Sequence, residues 1–96
     1  MSEQIGWIVR SEAGHDTGDV LCVVAVRDDR LLLADGKRRK LVAPKRKKLR
    51  HVSVLERGFD HEVIRKLQNS QTVSDRELRS ALAAFKGGNH AWQKTI

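Results

Sequence analysis

Between residues 37 and 51 the chain reads KRRKLVAPKRKKLRH, nine Lys or Arg in fifteen positions with no acid among them. Guanidinium and ammonium groups need no activation to hold phosphate or carboxylate oxygens by charge-assisted hydrogen bonds. A charge run is often only a solvated face. Here, however, nine like charges repel one another, and only Asp28, Asp29 and Asp35 stand near enough in sequence to offset them. The segment is expected to bind a polyanion. Across the 96 residues, nineteen Lys and Arg against twelve Asp and Glu leave a net charge of +7, a balance that puts nucleic acid first and an anionic membrane surface second. A patch that neutralised about five phosphates would lose roughly a hundredfold in affinity over an about fourfold rise in salt.

Other chemistry lacks its parts. There is no CxxC, HExxH or GxxxxGK[ST], and no Ser, His and acid set in a recognisable order. His15, His51, His61 and His90 are scattered without ligand spacing, so neither a metal nor a cofactor is expected. His15 and Asp16 could be drawn as an acid and base pair, but no nucleophile or oxyanion donor set accompanies them, and both are common turn formers. The single cysteine, Cys22, lies in the apolar run VLCVVAV and reads as a small core residue. The chain is not expected to be an enzyme.

The aromatic residues narrow the mode of binding. Of four, none is Tyr; Trp7 sits in an apolar strand, Phe59 at a strand-to-helix joint and Phe85 on a helical stripe, all positions that suit a core. Single-strand readers stack bases on exposed rings. Their scarcity favours recognition of folded RNA by shape and phosphate, with loop backbone, Lys and Arg making the contacts.

The elements that would position these residues follow from local pattern. Ile5, Trp7 and Val9 alternate with Gly6, Ile8 and Arg10, which predicts a strand with its apolar weight on one face. SEAGHDTGD is a loop of turn formers. VLCVVAV, a turn at Asp28 and Asp29, and Leu31 to Ala34 form two antiparallel strands. Asp35-Gly36 is a strong hairpin signal, which predicts that Lys37 to Val42 pairs back onto Leu31 to Ala34. Pro44 interrupts any ladder there, and Leu49, Val52 and Val54 anchor a last short strand. Five short strands in about 50 residues suggest a small, strongly bent β-barrel.

Beyond Glu56 the period lengthens towards 3.6, with Val63, Ile64 and Leu67 on one stripe and Leu78, Ala81, Leu82 and Phe85 on another. Ser74, Glu77, Val73 and Leu78 are spaced as a capping box with a hydrophobic staple, and Gly87-Gly88 supplies a stop. The organisation read from these patterns is a barrel over residues 1–56 carrying the basic segment 37–51, a helical annex over 57–88, and a flexible tail over 89–96 in which only Trp92 suggests an anchor. The longest apolar run, Val20 to Val26, is far short of the about 20 residues that span a bilayer. With no secretory stretch at MSEQIGWIVR, the cytoplasm is the expected compartment.

The run GWIVRSEAGHDTGDVLCVVAVRDDRLLLADG resembles a KOW motif, a strand, a loop with spaced glycines and an apolar strand, whose hallmark glycine matches Gly18, with Gly14 preceding it. DDRLLLADGKRRKLVAPKRKKLRHV and the helical tail are similar to the KOW-domain large-subunit ribosomal protein fourteen family of archaea and eukaryotes and its stand-alone bacterial relatives, over roughly residues 5 to 86. The resemblance implies a mainly β fold with α, a small five-stranded SH3-like (KOW) barrel followed by two short helices, and RNA contacts from the glycine loop and the basic segment. A glycine there lets backbone approach a phosphate, and a plain turn requirement accounts for each glycine alone equally well. Family loops often carry a basic residue where His15, Asp16 and Thr17 stand, and Asp16 and Asp19 make this loop less positive, which shifts weight onto Lys37 to Arg50.

The RNA-binding set expected from both lines is Gly14, His15, Gly18, Lys37, Arg38, Arg39, Lys40, Lys45, Arg46, Lys47, Lys48 and Arg50. The expected partner is large-subunit rRNA and the ribosome. Alternatives are a KOW interaction module docking through the barrel or the Leu78, Leu82 and Phe85 face on RNA polymerase, an elongation factor or a translation factor, and a non-specific DNA-binding protein.

Overall fold

The computed structural model describes residues 2–88, which form a mainly β structure with α. Five strands, β1 (Ile8–Ser11), β2 (Val20–Arg27), β3 (Arg30–Ala34), β4 (Lys45–Lys47) and β5 (Val52–Glu56), precede two helices, α1 (Glu62–Gln68) and α2 (Asp75–Gly87). All strand pairs are antiparallel, in the spatial order β4-β3-β2-β1-β5.

That order forces curvature. Strands β4 and β5 lie at opposite ends of the sheet, yet only Lys48 and the single 3₁₀ turn Leu49–His51 join them. In a flat sheet they would stand about 19 Å apart, four spacings of about 4.8 Å. A connection that rises about 2 Å per residue reaches only about half as far. The sheet therefore curls towards an open barrel, helped by register shifts between Ile8 and Val9 and between Val23 and Ala25.

Curling divides the apolar residues into two layers. Val9, Leu21, Val23, Leu31 and Leu33 pack inside the curl, with Trp7, Val26, Val52 and Val54 closing it. Ile8, Val20, Cys22 and Ala34 face outward and are covered by Ile64 from α1 and Leu78, Leu82 and Phe85 from α2. The helices are thus part of the core; full burial of a side chain such as Phe85 contributes about 1.5–3 kcal/mol. Burial also drives the Cys22 thiol up to about 12, out of reach of thiolate chemistry at neutral pH.

Three strand expectations need correction. Leu49 does not anchor the last strand but lies in the 3₁₀ turn before β5 and is 44% exposed. Strand β1 begins at Ile8, because Ile5 and Gly6 lie in a turn closed by Trp7 N–H donating to the Gln4 carbonyl at 3.0 Å. Ile8 and Val9 are both fully buried, so the strand carries apolar weight on both faces: the helices cover what would otherwise meet water. Residues Lys37 to Val42 are not a strand. The Asp35 carboxylate accepts from the backbone N–H of Lys37 and Arg39, each at 2.9 Å, and the Leu41 N–H donates to the Asp75 carboxylate at 2.8 Å. Those donors are taken from any ladder, and β4 forms only after Pro44. The Asp28-Asp29 turn does form, with φ of 51° and 58° at its two central residues, as a type I′ hairpin requires.

Helix starts are side-chain capped. His61 Nδ1 accepts from Val63 N–H at 3.1 Å at the head of α1. Ser74 and Glu77 close the reciprocal capping box on α2 at 3.1 and 2.9 Å. The segment 89–96, with Trp92, lies outside the described residues.

Candidate nucleic-acid interface

The loop from Glu12 to Asp19 is built on its own backbone. Gly18 N–H donates to the Ser11 carbonyl at 2.7 Å, Asp19 N–H to the Asp16 carbonyl at 3.0 Å and the Thr17 hydroxyl to the Gly14 carbonyl at 2.6 Å. Gly14 and Gly18 sit at φ of 86° and 94°, in the left-handed region where a side chain costs free energy. A Cβ on Gly14 would come within 3.2 Å of Lys47 Nζ, whereas one on Gly18 would meet nothing within 4 Å. The space over Gly18 is thus open to close approach, while its own N–H is already donated to the Ser11 carbonyl.

The acids of this loop are engaged by side chains from the rest of the chain. Asp16 Oδ1 accepts from the buried Ser11 hydroxyl at 3.0 Å and pairs with Lys47 Nζ at 3.2 Å. Burial pushes the Asp16 carboxyl up, but the Ser11 hydroxyl and the Lys47 ammonium outweigh it and hold the group below its ordinary range. Glu12 bonds the Ser53 hydroxyl and the Arg10 guanidinium, which together hold it low as well. Asp19 Oδ1 faces Arg38 Nη1 at 3.4 Å. No carboxylate of the loop is left without a cation or hydroxyl.

These contacts bring the two halves of the basic segment to opposite sides of the glycine loop. On one side, Asp19 meets Arg38, in the turn that carries Lys37, Arg38, Arg39 and Lys40. On the other, Glu12 N–H donates to the His51 carbonyl at 2.9 Å, which sets the 3₁₀ turn with Arg50, and Lys48 just before it, beside the loop. Lys37, Arg38, Lys40 and Arg50 are exposed, Arg39, Lys45 and Lys48 half-buried, and His15 is exposed at the loop's outer edge.

The basic turn is anchored by α2. Gly36 sits at φ 78° so close to the helix that a Cβ there would lie 2.3 Å from the Asp75 carbonyl oxygen. Arg79 donates to the Gly36 carbonyl at 2.6 Å, and the Asp75 carboxylate takes the Leu41 N–H.

Strand β4 splits the PKRKK run. Its register sets Lys45 opposite Leu33, Arg46 opposite Leu32 and Lys47 opposite Leu31, so Arg46 points away from the face that Lys45 and Lys47 share. Lys47 is 7% exposed and its ammonium donates to the Ala13 carbonyl at 2.5 Å besides pairing with Asp16. It is a loop anchor, withdrawn from the exposed set. Arg46 instead joins Arg27 and Arg30, both absent from the sequence expectation, around a cavity at the end of the β2–β3 hairpin. The signal was there: in RDDR the two arginines flank a two-residue turn and so must be cross-strand partners.

Among the described residues no group of three or more His, Cys, Asp or Glu could hold a metal ion, and no helix is long and apolar enough to cross a membrane. Compared with known proteins, the chain is matched by no family model and by no curated sequence.

Proposed function

We propose that the protein binds folded RNA through its phosphate backbone, with Gly14 to Gly18 at the centre of the contact and the turns of Lys37 to Lys40 and Lys48 to Arg50 on either side. The observation that carries this reading is the neutralised glycine loop: Asp16, Asp19 and Glu12 are engaged within the chain, while exposed Lys and Arg flank the open space at Gly18. A phosphate lying over that space would find cationic donors from the turns on either side and no unpaired carboxylate.

Within this reading the RNA is large-subunit rRNA and the protein acts in the cytoplasm on the ribosome, as the resemblance to the KOW-bearing ribosomal protein fourteen family implies. Co-sedimentation with large subunits tests it. The chain is expected to travel with the subunit at low salt and to be released by R38E/R50E; a chain that stays at the top of the gradient at low salt overturns it. Competition between duplex DNA and structured rRNA at physiological salt separates it from non-specific DNA binding. Polymerase docking through Leu78, Leu82 and Phe85 has little to recommend it, since all three are buried against the sheet.

A further inference from the structure

A groove of about 670 Å³ opens on the outer face of the sheet, lined by Val24, Leu32, Leu41, Pro44, Leu67 and Val73. Three local features create it. The irregularity between Val23 and Ala25 leaves Val24 on the helix side with Ala25. The Asp75 carboxylate holds the 41–44 loop against α2. The last turn of α1 supplies Leu67 and the connection to α2 supplies Val73 as the opposite wall. Within the 41–44 loop Leu41, Ala43 and Pro44 line the groove, and Val42 between them is 88% exposed.

Its rim is cationic for a reason of register. Arg27 pairs with Arg30, Ala25 with Leu32 and Leu32 with Arg46, so alternation puts all three guanidiniums on the groove's face. Arg27 and Arg46 line the groove itself, and both continue into a neighbouring cavity of about 230 Å³ with Asp28 and Arg30. Arg30 reaches Asp29 at 3.8 Å, whereas neither Arg27 nor Arg46 has an ion pair among the described residues. Like charges directly opposite on adjacent strands are unfavourable, a penalty that an anionic partner would relieve.

We propose that this groove docks a peptide segment of a partner protein, with aliphatic side chains in the groove and flanking Asp or Glu carboxylates on Arg27 and Arg46. Charge complementarity names the acids, because guanidinium forks match carboxylates bidentately. The aliphatic lining names the rest. Single-strand readers hold bases chiefly by stacking them on aromatic rings, and the walls of this groove are aliphatic with no aromatic residue among them. Since Arg46 and Lys47 point to opposite faces of β4, the peptide would sit on a different face from the glycine loop, and RNA and peptide could be held together.

A random-peptide display library panned on the full chain, with counter-selection on R27E/R46E, tests this directly. The expected peptides carry aliphatic residues flanked by acids, lose about tenfold or more in affinity to R27E or R46E alone, and shift the backbone amides of Val24, Leu41 and Val73. Both arginines are exposed, and unchanged circular dichroism of each variant confirms that lost binding is not lost folding. Three outcomes overturn the proposal: no peptide family that depends on Arg27 and Arg46; amide shifts in this groove that appear with concentration alone, which would make it a self-association face; or the same shifts on adding a single-stranded oligonucleotide, which would make it a nucleotide site. The panning and affinity measurements contain no nucleic acid, so their result is independent of the RNA reading.

Discussion

Lys47 Nζ lies 3.2 Å from Asp16 Oδ1, with the two side chains only 7% and 14% exposed. This pair ties the third residue of β4 to the turn between Gly14 and Gly18, across more than thirty positions of sequence. It also turns the most basic stretch of the chain partly inward. Asp16 Oδ2 is buried without a hydrogen-bond partner, so the carboxylate relies on Ser11, Lys47 and little else.

Removing the cation should therefore cost more than a surface pair would. K47M strands a largely buried carboxylate and is expected to destabilise the fold by about 2–3 kcal/mol. K47M/D16N should recover part of that loss. Urea denaturation of the two variants measures the difference; equal stability would show that the pair is uncoupled.

The exposed cations should behave differently. R38E and R50E are each expected to leave stability within about 0.5 kcal/mol of the parent. Each should weaken binding to structured rRNA and make the salt dependence shallower by about 0.7 or more in log–log slope, as for loss of at least one phosphate contact. Filter binding over a salt series checks both quantities.

Two glycines with similar φ should respond unequally to alanine. At Gly18, φ 94° with open space around the new Cβ, G18A is expected to cost about 1–2 kcal/mol, the left-handed penalty alone. At Gly36 a Cβ would also strike the Asp75 carbonyl at 2.3 Å, so G36A should cost more than about 2 kcal/mol and release the basic turn from α2. Thermal melts rank the pair, and hydrogen exchange at Leu41 reports the release.

Acid stability should depend on Glu77. Lys66 and the Ser74 backbone N–H bring its carboxyl from 4.5 down to about 2. Because the folded-state value is the lower one, this contribution is present above the unfolded-state pKa and is lost as pH falls from about 4.5 towards 2. E77Q should flatten that part of the stability profile, leaving the smaller slopes from Asp16 and Glu12, whose carboxyls are shifted in the same direction. An unchanged profile below pH 4.5 would contradict the assignment.

Local physics was enough for the Asp28-Asp29 hairpin, the Ser74 to Glu77 capping box, the apolar stripes of both helices and the burial of Cys22, because each depends on residues a few positions apart. It also made the charge of residues 37–51 plain. It could not say where each charge points. Asp35-Gly36 has the composition of a two-residue hairpin, but its carboxylate captures nearby N–H donors and its glycine is spent on contact with Asp75, thirty-nine positions later. Strand β1 looked one-faced because nothing in its own sequence announces the helices that cover Ile8. Register then sent Arg46 to the groove and Lys47 to the glycine loop, although the two are neighbours of the same charge. Composition and short-range pattern determined that this is a basic, β-rich chain with a capped helical end. Only long-range pairing decided which of its cations are structural and which face solvent, because burial and ion pairing are settled by residues far apart in sequence.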